Sequence, residues 1–78
     1  MKKKPPHPRS MTALDKAIAR RILEVRHNKD VTQVELASRI GVTFQQQQKY
    51  ERGTNRVTAS RLFLIAQALD EPVSSFFE

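Results

Sequence analysis

The sequence predicts an all-α protein of five helices. In three segments, apolar residues recur every three or four positions, a spacing that places them on one face of a helix. Four segments each follow a threonine that can cap a helix, and two of them end at a glycine. No stretch shows the alternation of apolar and polar residues that is typical of a strand. We therefore expect one helical domain, over residues 12–78.

Composition narrows the class of protein. A chain of 78 residues forms one small domain, and without cysteine it has neither disulfides nor thiolate metal sites. The two histidines, His7 and His27, are too sparse for a structural zinc site. No apolar run approaches the ~18 residues of a membrane span, and the start lacks the apolar segment of a secretory signal. We expect a cytoplasmic protein with no metal, no cofactor and no membrane contact.

Basic residues are concentrated at the N-terminus. The net charge is +6, and the first twelve residues hold four of the 14 basic residues and none of the eight acidic ones. Prolines at positions 5, 6 and 8 disfavour a helix there. We expect residues 1–11 to form a disordered basic tail. The tail is either a solvated end or an arm that touches a polyanion.

Helix 1 is predicted from Ala13 to His27. Thr12 is placed to cap it, with Asp15 three residues later as the reciprocal partner of a capping box. One apolar stripe follows the helical period and should face the core: Leu14, Ile18, Ile22 and Val25.

Helices 2 and 3 are predicted next, and a tight turn separates them. Thr32 and Glu35 form a capping box at the start of helix 2, and Gly41 ends that helix because it adopts positive φ without steric cost. Leu36, Ala37 and Ile40 give its buried face. Thr43 caps helix 3, which should run to about Glu51, with Gln46 at the capping-box position.

Helix 3 has two unlike faces. At 100° per residue, Gln47 and Tyr50 fall on the inner side, near Thr43. The opposite arc carries an aromatic ring, two amides and two cations, which suit solvent or a ligand better than a core: Phe44, Gln45, Gln48, Lys49 and Arg52.

Two more helices complete the predicted fold. Thr58 should cap helix 4, from Ala59 to about Leu69, whose inner stripe is Leu62, Ile65, Ala66 and Leu69. Pro72 suits the first turn of a short final helix with one apolar side.

The outer face of helix 3 fits the edges of DNA bases. A glutamine amide matches the donor and acceptor of adenine, a lysine donates to guanine or to phosphate, and Phe44 can pack on a thymine methyl group. Thr32 and Gln33 lie at a helix N-terminus, which attracts phosphate. Arg52, Asn55 and Arg56 follow helix 3, where they can contact the same backbone. No residue pattern indicates a catalytic site, so we do not expect an enzyme.

The sequence resembles the Cro and phage-repressor type of helix-turn-helix domain, also called the xenobiotic-response-element family. The resemblance rests on I-x-x-R-I-x-x-V-R (Ile18 to Arg26), V-T-Q-x-E-L-A-x-x-I-G-V-T (Val31 to Thr43) and Y-E-R-G (Tyr50 to Gly53), and it covers about residues 14–77. It implies a compact, repressor-like domain of five helices, with the helix-turn-helix at helices 2 and 3. It also implies sequence-specific binding to double-stranded DNA, usually as a homodimer on a pseudo-palindromic operator, in transcription regulation.

The resemblance also implies roles for residues. It gives Gln33 a phosphate contact, and it gives Phe44, Gln45 and Lys49 base contacts, to which Gln48 is an addition. It pairs Arg26 with Glu51 as a structural ion pair. It places the dimer or partner surface on the last helix and the end of helix 4, at Leu64, Val73, Phe76 and Phe77.

Two departures from the family pattern stand out. Gln47 occupies a position that the family gives to an apolar core residue, and Asp30 stands where a glycine is usual.

The alternative function is that of an antitoxin or another protein-interaction module, for which binding a protein partner is the main role. The chain is also consistent with the N-terminal piece of a longer regulator.

Overall fold

The computed structural model describes residues 10–78, and they form an all-α fold. The helices are α1 (Ala13–Asn28), α2 (Gln33–Ile40), α3 (Phe44–Arg52) and α4 (Ala59–Ala68), followed by a 3₁₀ helix at Val73–Phe77. The predicted all-α class is confirmed, but the fifth element is a short 3₁₀ helix rather than an α-helix. Most of the predicted basic tail, residues 1–9, lies outside the described residues.

Threonines cap all four α-helices. Thr12 with Asp15, and Thr32 with Glu35, form reciprocal capping boxes, as the sequence predicted. Thr43 and Thr58 each accept one backbone N–H, from Gln46 and Arg61 respectively. The side chain of Gln46 takes no part in the cap of α3.

Two of the α-helices end at a glycine in the left-handed region. Gly41 ends α2 with φ 74° and Gly53 ends α3 with φ 71°, where a residue with a Cβ atom would be strained. Asp30, at the corner between α1 and α2, also has positive φ, 56°. This conformation accounts for the glycine that the family pattern has there, and aspartate is one of the few other residues that tolerate it.

The core lies between α1, α2, α4 and the 3₁₀ helix. Ile22, Leu36, Ile65 and Phe76 are its largest fully buried apolar side chains. The prediction that Leu14 faces the core is wrong, because its side chain is 56% exposed. The neighbouring elements leave the Leu14 side of the first turn of α1 open to solvent, so the apolar stripe of α1 becomes fully buried only at Ile22.

Phe76 corrects the predicted dimer or partner surface. Its side chain is 0% exposed within a single chain, so it cannot form an interface. A 3₁₀ helix repeats every three residues, and Val73 and Phe76 accordingly both pack against the core. Phe77 is turned outward and is 53% exposed.

Two kinds of feature are absent from the described part of the chain. None of its helices is both long and apolar enough to cross a membrane. Nor do these residues bring three or more His, Asp or Glu side chains together as metal ligands.

Candidate nucleic-acid interface

The helices α2 and α3 form a helix-turn-helix unit. After Gly41 reverses the chain, the Val42 N–H donates to the carbonyl of Ala37 at 3.0 Å, and this bond closes the turn. The Thr43 hydroxyl then caps α3. The short connection fixes the direction of α3 relative to α2, and the inner side of α3 buries Gln47 and Tyr50, as the helical period predicted.

A buried carboxylate fixes α3 to the two preceding helices. Glu51 accepts two hydrogen bonds from the Arg26 guanidinium, at 2.8 Å to Oε2 and 2.9 Å to Oε1. The Gln47 and Gln33 amides donate to the same two oxygens, at 2.8 Å and 3.1 Å. One carboxylate thus receives donors from α1, α2 and α3. The ion pair between Arg26 and Glu51 is present and buried.

The charge of Glu51 is stabilised by these donors. Burial on its own would raise the pKa of the Glu51 carboxyl, but the hydrogen bonds from Arg26, Gln47 and Gln33 outweigh it and hold the pKa below its ordinary value. The carboxylate therefore stays ionised at neutral pH, paired with a guanidinium that also donates to the carbonyl of Val31 at 2.8 Å.

Gln47 completes the carboxylate cluster but is only half satisfied. Its side chain is fully buried, and its Nε2 donates to Glu51. Its Oε1 is buried and has no hydrogen-bond partner among the described residues, which costs about 1–3 kcal/mol. The inward direction of Gln47 was predicted, whereas its bond to Glu51 was not.

The outer face of α3 is open to solvent. Phe44, Gln45, Lys49 and Arg52 are exposed, and Gln48 is half-buried. The amide and ammonium groups of Gln45, Gln48 and Lys49 make no hydrogen bond or ion pair within the described residues. These groups can therefore bind a ligand without first breaking a contact with this part of the chain.

The residues predicted to contact a DNA backbone differ in their surroundings. Thr32, Arg52 and Asn55 are exposed, while Gln33 is half-buried and its amide is held by Glu51. Arg56 is exposed but engaged, because its Nε donates to Asp15 at 3.0 Å and its Nη2 to the carbonyl of Ser10. Arg56 thereby fixes the loop after α3 to the start of α1.

Two further contacts around the site were also not predicted from the sequence. The ion pair of Arg56 with Asp15 joins residues 41 positions apart. Arg61 on α4 donates to the carbonyl of Ile40 at 2.6 Å. This bond gives a partner to a backbone carbonyl at the C-terminal end of α2. In each case the sequence shows a charged arginine, but no residue nearby in the sequence indicates its partner.

Comparison with known proteins identifies the fold. The model of the HTH_3 helix-turn-helix family matches residues 22–76. An uncharacterized transcriptional regulator in the ATPase CF(0) region of Rhodospirillum rubrum is 48% identical over 69 residues, which are 88% of this chain and 64% of that protein. An HTH-type regulator of Sinorhizobium medicae is 49% identical over 97% of this chain and 51% of its own length. The chain thus spans about half to two thirds of these relatives.

Solved structures agree with the family. The clp gene regulator ClgR from Corynebacterium glutamicum has a TM-score of 0.80 and 28% identity, covering 83% of this chain and 84% of its own. The restriction-modification controller C.Esp1396I, solved as a tetramer with its natural 35 base-pair operator, has a TM-score of 0.76 and 26% identity, covering 85% and 87%. These proteins are named as regulators and controllers rather than enzymes, and they do not support an antitoxin role. This chain belongs to the HTH_3 helix-turn-helix family, as its motif implied.

Proposed function

We propose that this chain binds double-stranded DNA sequence-specifically, as the DNA-binding part of a transcriptional regulator. The observation that carries the proposal is the geometry of α3. Its inner side is fixed by the Glu51 cluster, while its outer face presents amide and ammonium groups that have no partner within residues 10–78. In a helix-turn-helix, the second helix enters the major groove and reads base edges. The family match and the names of the relatives support the same function.

The residues on the outer face of α3 and on either side of it have separate roles in this proposal. Phe44, Gln45, Gln48 and Lys49 contact bases, and Thr32, Gln33, Arg52 and Asn55 contact the sugar-phosphate backbone. Arg56 contacts the backbone too, where a phosphate competes with the carboxylate of Asp15. The net charge of +6 adds a sequence-independent attraction. A cytoplasmic location is proposed along with DNA binding.

The operator is proposed to be read by a dimer. Phe63 and Leu64 on α4 and Phe77 on the 3₁₀ helix are exposed apolar side chains, and Val73, the first residue of the 3₁₀ helix, is half-buried. A second copy of the chain that covers these residues would form a two-fold symmetric dimer. Half-sites would then lie about 34 Å apart, one turn of DNA. The operator complex of the related controller C.Esp1396I, itself a tetramer, supports the use of several subunits.

Base reading by Gln45 and Lys49 is testable on a selected operator. The operator is first obtained by selection from a random DNA pool, and a pool that shows no enrichment would contradict the proposed function. Gln45→Ala and Lys49→Ala should each weaken binding to the operator by about 1–3 kcal/mol, because each removes hydrogen bonds to a base edge. Fluorescence anisotropy at fixed salt measures both this loss and binding to random DNA.

The control removes a cation that lies outside α2, α3 and the dimer surface. Arg20 is exposed on α1, and Arg20→Ala should lower operator affinity far less than Lys49→Ala, although both remove one positive charge. Losses that are equal on operator and random DNA would assign Gln45 and Lys49 to the backbone instead of the bases.

The dimer surface predicts a change of oligomeric state. Phe77→Asp should yield a monomer in sedimentation analysis, since a charge on an apolar interface is strongly unfavourable. Its affinity for a full operator should fall, while its affinity for a single half-site stays at the wild-type value. Leu14→Asp is the matched control, because Leu14 is equally exposed but lies on α1. A Phe77→Asp variant that remains dimeric would show that the subunits meet elsewhere.

A further inference from the structure

Phe44 is an exposed aromatic residue at the first position of α3. Its side chain is 40% exposed, and it lies directly before Gln45 and one helical turn before Gln48. Residues at the N-terminal end of a recognition helix reach furthest toward base edges. Phe44 has no hydrogen-bonding group, so the partner that it suits best there is apolar.

The major groove offers one apolar group on its base edges. That group is the C5 methyl of thymine, because all other functional groups on these edges are hydrogen-bond donors or acceptors. The remaining exposed groups of α3 agree with such a base pair. Gln45 and Gln48 carry amides that match adenine, the partner of thymine. Glu51, the only carboxylate of α3, is buried against Arg26 and cannot accept from the amino group of cytosine.

We propose that Phe44 is a specificity-determining residue that reads the C5 methyl group of a pyrimidine in the major groove, a role that rests on the proposed function. Each half-site then has a methyl-bearing pyrimidine opposite the start of α3. Cytosine carries no methyl group at C5, whereas 5-methylcytosine carries one in the same place as thymine. The contact therefore makes binding sensitive to cytosine methylation at that position.

Deoxyuridine tests the contact because it differs from thymidine only by the missing methyl group. Thymines of the selected operator are replaced by deoxyuridine one at a time. One position in each half-site should lower the affinity of the wild-type protein by about three- to fivefold, the factor for burial of one methyl group. The Phe44→Ala variant should bind the two DNAs equally, and Phe44→Leu should keep part of the difference.

Cytosine methylation gives an independent readout at the same position. With cytosine placed there, methylation at C5 should raise wild-type affinity by about threefold and leave that of Phe44→Ala unchanged. Leu14→Ala, which removes an exposed apolar side chain from α1, should behave as wild type in both assays. Thermal unfolding verifies that the Phe44 variants are folded.

The outcomes separate this inference from the function on which it rests. If no DNA sequence is enriched in selection, the proposed function fails. If an operator is bound specifically but no thymine position distinguishes wild type from Phe44→Ala, only the methyl contact is overturned. An equal loss with deoxyuridine in both proteins would also overturn it, since the methyl group would then act without Phe44.

Discussion

Arg26→Ala should unfold the domain or bring it close to unfolding. The substitution leaves the Glu51 carboxylate buried without its cation, which typically costs about 3–5 kcal/mol. Small domains have total stabilities of only about 5–15 kcal/mol. The variant also loses the hydrogen bond to the carbonyl of Val31. Urea unfolding followed by circular dichroism measures the free energy of unfolding, which should fall by about 3–5 kcal/mol.

Lys29→Ala is the matched control for Arg26. Lys29 pairs with Glu71 at 3.1 Å, but both side chains are partly exposed to solvent. Such surface pairs contribute about 0–1 kcal/mol, so this variant should remain folded. If the two variants lose the same stability, the buried pair has no special weight, and the Glu51 cluster does not fix α3.

Acid titration gives a second measure of the same carboxylate. The pKa of Glu51 is lower in the fold than in the unfolded chain, where it is ordinary. The stabilisation by its donors is therefore fully present above the ordinary pKa of a glutamate, about 4.3, and is lost as the pH falls through the lower value in the fold. Gln33→Ala should flatten this part of the pH dependence and leave the domain folded, because it removes one donor to Glu51 and keeps the ion pair with Arg26.

Sequence was most informative where structure depends on close neighbours. The reciprocal caps of Thr12 and Thr32 involve residues three positions apart, and the glycines that end α2 and α3 satisfy a local backbone requirement. The helical period also separated the two faces of α3. Each of these features is determined within one or two turns of helix, so one sequence suffices to predict it.

Features that depend on distant elements were not predicted in the same way. The exposure of Leu14 depends on what covers the first turn of α1, and the partner of Arg56 is 41 residues away. Gln47 looked like a misplaced core residue, although it lies one turn from Glu51 and donates to it. Its role appears only once Arg26 and Gln33 are seen at the same carboxylate.

The two phenylalanines at the C-terminus are adjacent in sequence but differ in burial, so their substitution compares the stability contributed by a core and by a surface side chain. Phe76 is fully buried in the core, whereas Phe77 is largely exposed. Phe76→Ala should lower the free energy of unfolding by about 3–5 kcal/mol, because it removes a large apolar side chain and leaves a cavity. Phe77→Ala should change it by less than about 0.5 kcal/mol, as is usual for exposed positions.

The measurement has to separate folding from association. Unfolding is therefore followed in urea at several protein concentrations, and values at high dilution report on the monomer. If Phe76 served the interface as the motif suggested, Phe76→Ala would alter only the concentration dependence and leave the diluted monomer as stable as wild type. A large loss at every concentration would mean that Phe76 stabilises the core of the monomer, whether or not the subunits associate. Leu64 and Phe77, which remain exposed, would then be left to meet a second subunit.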